Sequence, residues 1–153
     1  MKRVLVVVSA LLLFTMFASA CGGDEPNVSG KMPGTAIQVN GGGTYWRLSA
    51  SDFNSDVVTN KSNAILINVD PLETLNGAIA GTDLYIPYDD VVSYLSLLPP
   101  DKDTIIGVYC LSGTHSPEAS EALVKAGYTI VFELSRGMEE WTRQGYVTTI
   151  RNP

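Results

Sequence analysis

Cysteine and histidine are scarce in this chain: Cys21 and Cys110 are the only thiols and His115 the only imidazole among 153 residues. Two thiols cannot build a multi-bridge disulfide scaffold, and each sits in a context of its own, so a Cys21–Cys110 bridge is the weaker reading. Metal binding near Cys110 and His115 would need two more ligands from elsewhere, and no metal site is expected. Basic residues are few as well, ten Lys and Arg against sixteen Asp and Glu, for a formal net charge of −6. The only basic residues before position 31 are Lys2 and Arg3, and their loss with a leader would leave −8. That charge excludes nucleic acid and anionic lipid surfaces as ready partners; a small polar substrate or a protein fits better. The length leaves no room for two cores beyond one domain and its extras.

What is present centres on Cys110. The β-branched apolar run Thr104–Tyr109 ends at this cysteine, the small or polar stretch 111–116 follows, and Pro117 opens a pattern of helical spacing to Ala126, with Gly127 as its stop. A sulfur between a strand end and a helix N-terminus is surrounded by loop N–H groups and the positive end of a helix dipole, which favours thiolate over thiol. That setting points to nucleophilic sulfur chemistry.

Residues 1–20 carry Lys2 and Arg3, an apolar run from Val4 to Phe17, and the small residues Ala18, Ser19 and Ala20. These are the three regions of a secretory signal, and the run is short of the about 20 residues of a membrane span. Ala18-Ser19-Ala20-Cys21-Gly22-Gly23 resembles a bacterial lipoprotein box, with Ala18 where that pattern prefers leucine. The resemblance implies acylation of Cys21 and anchoring of the mature chain outside the cytoplasm, in the bacterial cell envelope, by lipid rather than by a helix. The alternative is an ordinary secreted protein with a free Cys21. Residues 21–43, rich in glycine and turn formers, read as a lipidated N-terminus and flexible tether.

The domain is expected over residues 44–150. Short strands are expected at Tyr45–Leu48, Ala64–Val69, Leu84–Ile86, Thr104–Tyr109 and Thr129–Leu134. Between and after them, helices are expected from Ser49 or Ser51 through Val57, from Asp89 to Leu98, from Pro117 to Ala126, and from Gly137 to Gln144. Strand alternating with helix predicts a three-layer α/β fold: a central, mainly parallel five-stranded sheet with helices on both faces. Ligands of such sheets bind beyond the carboxyl ends of the strands, where Cys110 lies.

Four stretches in order are similar to a single-domain rhodanese, the sulfurtransferase family, over about Tyr45–Tyr146. Asn68-Val69-Asp70 stands for that family's Asp-Val-Arg turn, and Gly77-Ala78-Ile79-Ala80-Gly81-Thr82, before Pro87, for Gly-His-Ile-x-Gly-Ala. The run from Tyr109 and Cys110 to Ser116 stands for the active-site loop, and Arg136-Gly137-Met138-Glu139-Glu140-Trp141 for Gly-Gly-Met-x-x-Trp. Asp70 and His115 depart from the pattern by replacing arginines, which thins the positive charge available to an anionic donor.

The resemblance implies that Cys110 is the catalytic nucleophile, forming a persulfide with a small sulfane-sulfur donor and passing the sulfur to a thiol or cyanide without a cofactor. Loop N–H groups of Leu111, Ser112, Gly113, Thr114, His115 and Ser116 are expected to hold the sulfur. Gly113 supplies the turn. Ser112, Thr114 and Ser116 offer hydroxyls, with Ser116 alternatively the helix cap; His115 adds charge below neutral pH or fills the loop. Arg136 is either a substrate contact or a solvated surface residue. A phosphatase is disfavoured, since its loop needs an arginine at position 116, which is serine. The remaining alternative is a non-catalytic module for binding, sulfur relay or redox sensing, with an envelope protein as partner.

Overall fold

A computed structural model describes residues 32–72 and 77–149. The signal, Cys21, most of the tether and the turn through Asn76 lie outside the described residues.

Five strands form the expected parallel array: β2 (Thr44–Leu48), β3 (Ala64–Asn68), β5 (Leu84–Tyr85), β6 (Ile105–Tyr109) and β7 (Val131–Leu134). A sixth strand, β1 (Thr35–Gln38), pairs antiparallel with β2, so the sheet order is β1-β2-β7-β6-β3-β5. The tether read from sequence therefore ends earlier than position 43. Its short patch Ala36-Ile37 is paired, and Val39 is buried. A separate two-stranded ladder joins β4 (Ala78–Ile79) to β8 (Thr148–Thr149).

Helices cover both faces. α1 (Ala50–Phe53) starts at Ser49, whose Oγ accepts the Asp52 N–H at 3.2 Å, and continues as one wider π turn over Asn54–Val58. α3 (Gly137–Arg143) lies on the same face as α1, and α2 (Ser116–Lys125) on the other. The predicted helix at Asp89–Leu98 is instead a 3₁₀ segment, Val91–Leu97, kinked at Tyr94. It lies between Pro87 and Pro99-Pro100, buries Val91 and Leu98, and leaves Val92 exposed. So short a stretch, with no continuous apolar face to bury, tightens rather than holding α geometry.

Side-chain alternation assigns each strand residue to one core. On β3, Ile65 and Ile67 face the α2 side while Ala64 and Leu66 face α1 and α3. On β6, Ile106 and Val108 face α2, so Cys110, two residues further on, continues toward the same helix. Gly107 on the other side lets α1 approach: a Cβ there would stand 2.4 Å from Val57 Cγ1.

Candidate active site

The carboxyl ends of β3, β5 and β6 bring three side chains together. Register pairs Asn68 with Tyr109, so Asp70 comes level with Leu111, and its Oδ1 accepts the Leu111 N–H at 3.0 Å. Tyr88 follows β5 and stacks on His115, ring centroids 4.4 Å apart and planes within 6°. His115 Nδ1 stands 4.0 Å from Asp70 Oδ1. Burial disfavours the charged form of Asp70 and raises its pKa, while the Leu111 N–H and His115 oppose that shift.

Cys110 is fully buried, and two loop amides point at its sulfur: Gly113 N–H at 3.1 Å and His115 N–H at 3.4 Å. The loop is pinned from the far side by the N-terminal turn of α3, where Met138 N–H and Glu139 N–H donate to the carbonyls of Cys110 and Leu111, each at 2.9 Å. Two residues with left-handed backbone make this approach possible. Gly113 has φ 83°, and Gly137 has φ 57°, where a Cβ would fall 2.2 Å from the Cys110 carbonyl oxygen.

The loop residues do not all do what their sequence suggests. Gly113 and His115 hold the sulfur, whereas the Leu111 N–H is taken by Asp70. Ser112 and Thr114 bond to each other at 2.8 Å and are exposed. Ser116 is not a side-chain cap: His115 takes the N-cap position of α2, and Ser116 is the first helical residue, fully buried. Its hydroxyl donates to Glu133 Oε1 at 2.8 Å, so it presents lone pairs to Cys110, whose thiol donates to it across 3.7 Å. Arg136 contributes its backbone rather than its guanidinium. It adopts φ 61° ahead of α3, while its side chain is exposed, ion-paired to Glu140 at 3.6 Å. It lines a groove with Ser49, Ser51 and Gln144.

Two participants were not singled out from sequence. Glu133, fully buried on β7 and facing α2, accepts from Ser116 through Oε1 and from Arg47 Nε through Oε2 at 2.6 Å. That bond raises the Arg47 pKa. The result is a hydrogen-bonded line from Cys110 to a part-exposed guanidinium on β2. The signal was a lone carboxylate inside the apolar run Thr129–Leu134, because a buried charge is tolerated only when paired. The other participant, Tyr88, carried no signal, since only the meeting of β5 with the loop sets it on His115.

The rhodanese-like domain model matches residues 63–144, just over half of the chain, a span that contains Asp70, Tyr88, the Cys110 loop and Glu133. The chain belongs to the rhodanese-like family. A sulfurtransferase of Allochromatium vinosum is 30% identical over 96 residues, covering 62% of this chain and 87% of the relative. Among solved structures, a rhodanese-like domain from Anabaena sp. is 25% identical with a TM-score of 0.59, over 69% of this chain and 79% of that one. A rhodanese-related protein from Thermoplasma volcanium is similar in fold, with a TM-score of 0.56 at 24% identity over 69% of this chain and 98% of that one. The rhodanese-like fold expected from the four motifs is thus the fold observed, with a sixth strand added at one edge.

Proposed function

We propose that this chain is a sulfurtransferase that carries sulfane sulfur as a persulfide on Cys110. The observation behind this reading is the pair of N–H groups, from Gly113 and His115, aimed at one buried sulfur. Fixed donors around a site of developing negative charge stabilise a thiolate, and then a persulfide, without reorganising. The similarity to the sulfurtransferase of Allochromatium vinosum supports the same class. In the first half-reaction the Cys110 thiolate attacks the outer sulfur of the donor, the donor's sulfur–sulfur bond breaks, and the leaving group departs with the electron pair. In the second, an acceptor thiolate or cyanide attacks the outer sulfur of the persulfide and Cys110 leaves as thiolate. The donor is a small sulfane-sulfur compound, and no cofactor enters either step.

The location belongs to the proposal as well. Residues 18–23 support processing as a bacterial lipoprotein, with acylated Cys21 tethering the domain to the extracytoplasmic side of a membrane, where an envelope protein is a fitting partner. No helix among the described residues is long and apolar enough to cross a membrane.

Intact-mass measurement after exposure to thiosulfate, polysulfide or a thiosulfonate is expected to show one added sulfur, absent in Cys110→Ser. No adduct with any of the three overturns the catalytic reading. The complete burial of Cys110 favours the second reading in that case, a non-catalytic binding, relay or redox-sensing module. For the anchor, native protein is expected to partition into detergent and Cys21→Ala to remain in the aqueous phase; equal partitioning refutes it.

A further inference from the structure

We propose that the carboxyl edge of the sheet is also a site for a thiophilic divalent cation of the zinc type, held by Cys110 Sγ, a ring nitrogen of His115 and a carboxylate oxygen of Asp70. One ligand atom from each of these three residues falls within 4.8 Å of the others. Their arrangement separates this reading from an acid–base relay. A relay is a line, in which imidazole bonds a carboxylate with one nitrogen and a sulfur with the other. Here one ligand atom of each side chain lies within 4.8 Å of the other two, a triangle rather than a line, and the His115 Nδ1 to Asp70 Oδ1 distance of 4.0 Å is too long for a hydrogen bond. It is close to the separation of about 3.3–3.7 Å that two ligands keep when each lies about 2.0–2.3 Å from one tetrahedral ion.

The charges agree with the geometry. A carboxylate, a thiolate and a neutral imidazole sum to a site that attracts a cation, and sulfur with nitrogen selects a borderline-soft metal over magnesium or calcium. Each ligand is held in place by something other than the metal. Asp70 Oδ1 takes the Leu111 N–H, Cys110 Sγ takes those of Gly113 and His115, and the His115 ring is fixed flat against Tyr88. Three protein ligands leave a fourth position open to water. The side chain of His115 is 36% exposed, which opens the triangle to solvent on that side.

Binding replaces the thiol proton with the metal: the sulfur–hydrogen bond is given up, a proton is released to solvent, a metal–sulfur bond forms, and metal-bound waters leave. The sulfur's attacking electron pair is then committed to the ion, so metal and sulfane donor exclude each other at Cys110. This consequence rests on the sulfur-transfer reading; the metal site does not.

The test uses the full chain carrying Cys21→Ser, in which Cys110 is the sole thiol. Zinc ion alone is expected to bind with one equivalent by metal analysis after dialysis, and to slow alkylation of Cys110 by iodoacetamide. Cobalt ion in its place is expected to show a thiolate-to-cobalt charge-transfer band and the intense visible bands of tetrahedral coordination. Cys110→Ser loses the band, while His115→Gln and Asp70→Asn each weaken zinc binding by at least about tenfold, the loss that even outer partners of metal ligands cause. Circular dichroism keeps misfolded variants out of the comparison. Binding that is unchanged in both His115→Gln and Asp70→Asn, or a cobalt spectrum without the sulfur band, overturns the proposal. With the donor given to metal-free protein and zinc to a separate sample, zinc binding in one and no persulfide in the other sinks the sulfur-transfer reading alone; persulfide in one and no zinc binding in the other sinks the metal site alone.

Discussion

The face of the sheet beneath α1 and α3 buries Leu48, Phe53, Leu66, Phe132, Leu134 and Trp141, and the face beneath α2 buries Cys110, Ser116, Ser120 and Glu133 among its apolar residues. The first face is held by area and shape. Trp141 sits edge-on to Phe53 at 6.3 Å, packs on Tyr146, and gives its one N–H to the Val147 carbonyl. The second holds a polar line through Cys110, Ser116 and Glu133 in which each group has a partner, since an unpaired one costs about 1–3 kcal/mol, while the buried Ser120 hydroxyl beside it has none among the described residues. A single sheet thus separates its tasks by the alternation of side chains: the even positions Ile106 and Val108 of β6 and the odd positions Val131 and Glu133 of β7 face α2, and the residues between them face α1 and α3. Cys110 and Glu133 fall on the same side for that reason alone.

The largest effect expected from this contrast is on the apolar face. Phe53→Ala should lower stability by about 3–5 kcal/mol, read by denaturant unfolding, while the alkylation rate of Cys110 in the folded protein stays at the wild-type value. A changed rate would mean that the two faces are not separate.

A smaller loss, about 1–3 kcal/mol, is expected for Glu133→Gln, which withdraws the charge from Arg47 and Ser116. Its signature is chemical. A glutamine amide can donate to Ser116 Oγ, freeing the hydroxyl hydrogen to turn toward the sulfur, so alkylation of Cys110 at neutral pH should become faster. An unchanged rate would show that the buried line is only structural.

The smallest effect, about 0.5–1.5 kcal/mol, is expected for Tyr109→Phe. The Tyr109 hydroxyl accepts the Ile79 N–H at 3.0 Å and shares a hydrogen with Thr82 Oγ1 at 2.6 Å. Burial pushes its pKa up to about 12. A folded-state value above the unfolded one means that the fold keeps its stability below about pH 10 and loses it as pH rises toward the folded value. Wild-type protein should therefore melt at falling temperature above about pH 10, and Tyr109→Phe should flatten that part of the curve. A parallel decline in both proteins would assign the alkaline loss to another group.

Most of the fold was legible because parallel strands buried on both faces read as continuous apolar runs. Ala64–Asn68 and Ile105–Tyr109 lie within the predicted spans. β1 was not, since an antiparallel edge strand with one buried neighbour carries no run long enough to stand out from a glycine-rich stretch. The 3₁₀ segment was missed for a related reason. Val91, Leu95 and Leu98 satisfy helical spacing whether or not a full α turn has a surface to pack on.

At the site, Cys110 and the loop around it were readable from a strand end, a glycine and a proline. The hydroxyls were not, because whether Ser116 caps a helix or bonds Glu133 depends on a strand 17 residues away in the chain. Arg136 drew notice as a cation after the last parallel strand, yet its left-handed backbone turns the side chain toward Glu140.

The sequence by itself determined the succession of the five parallel strands, the cysteine at the end of β6, and the glycine at 113 that lets the loop close, all of which follow from local patterning and backbone sterics. Only the tertiary structure decided which polar groups meet that sulfur. Asp70, Tyr88 and Glu133 come from stretches separate from the loop that carries His115 and Ser116, and their contacts arise where strand register and the crossing of α2 over the sheet bring them within a few ångströms. Periodicity can say which face a side chain takes; it carries no information about who stands opposite.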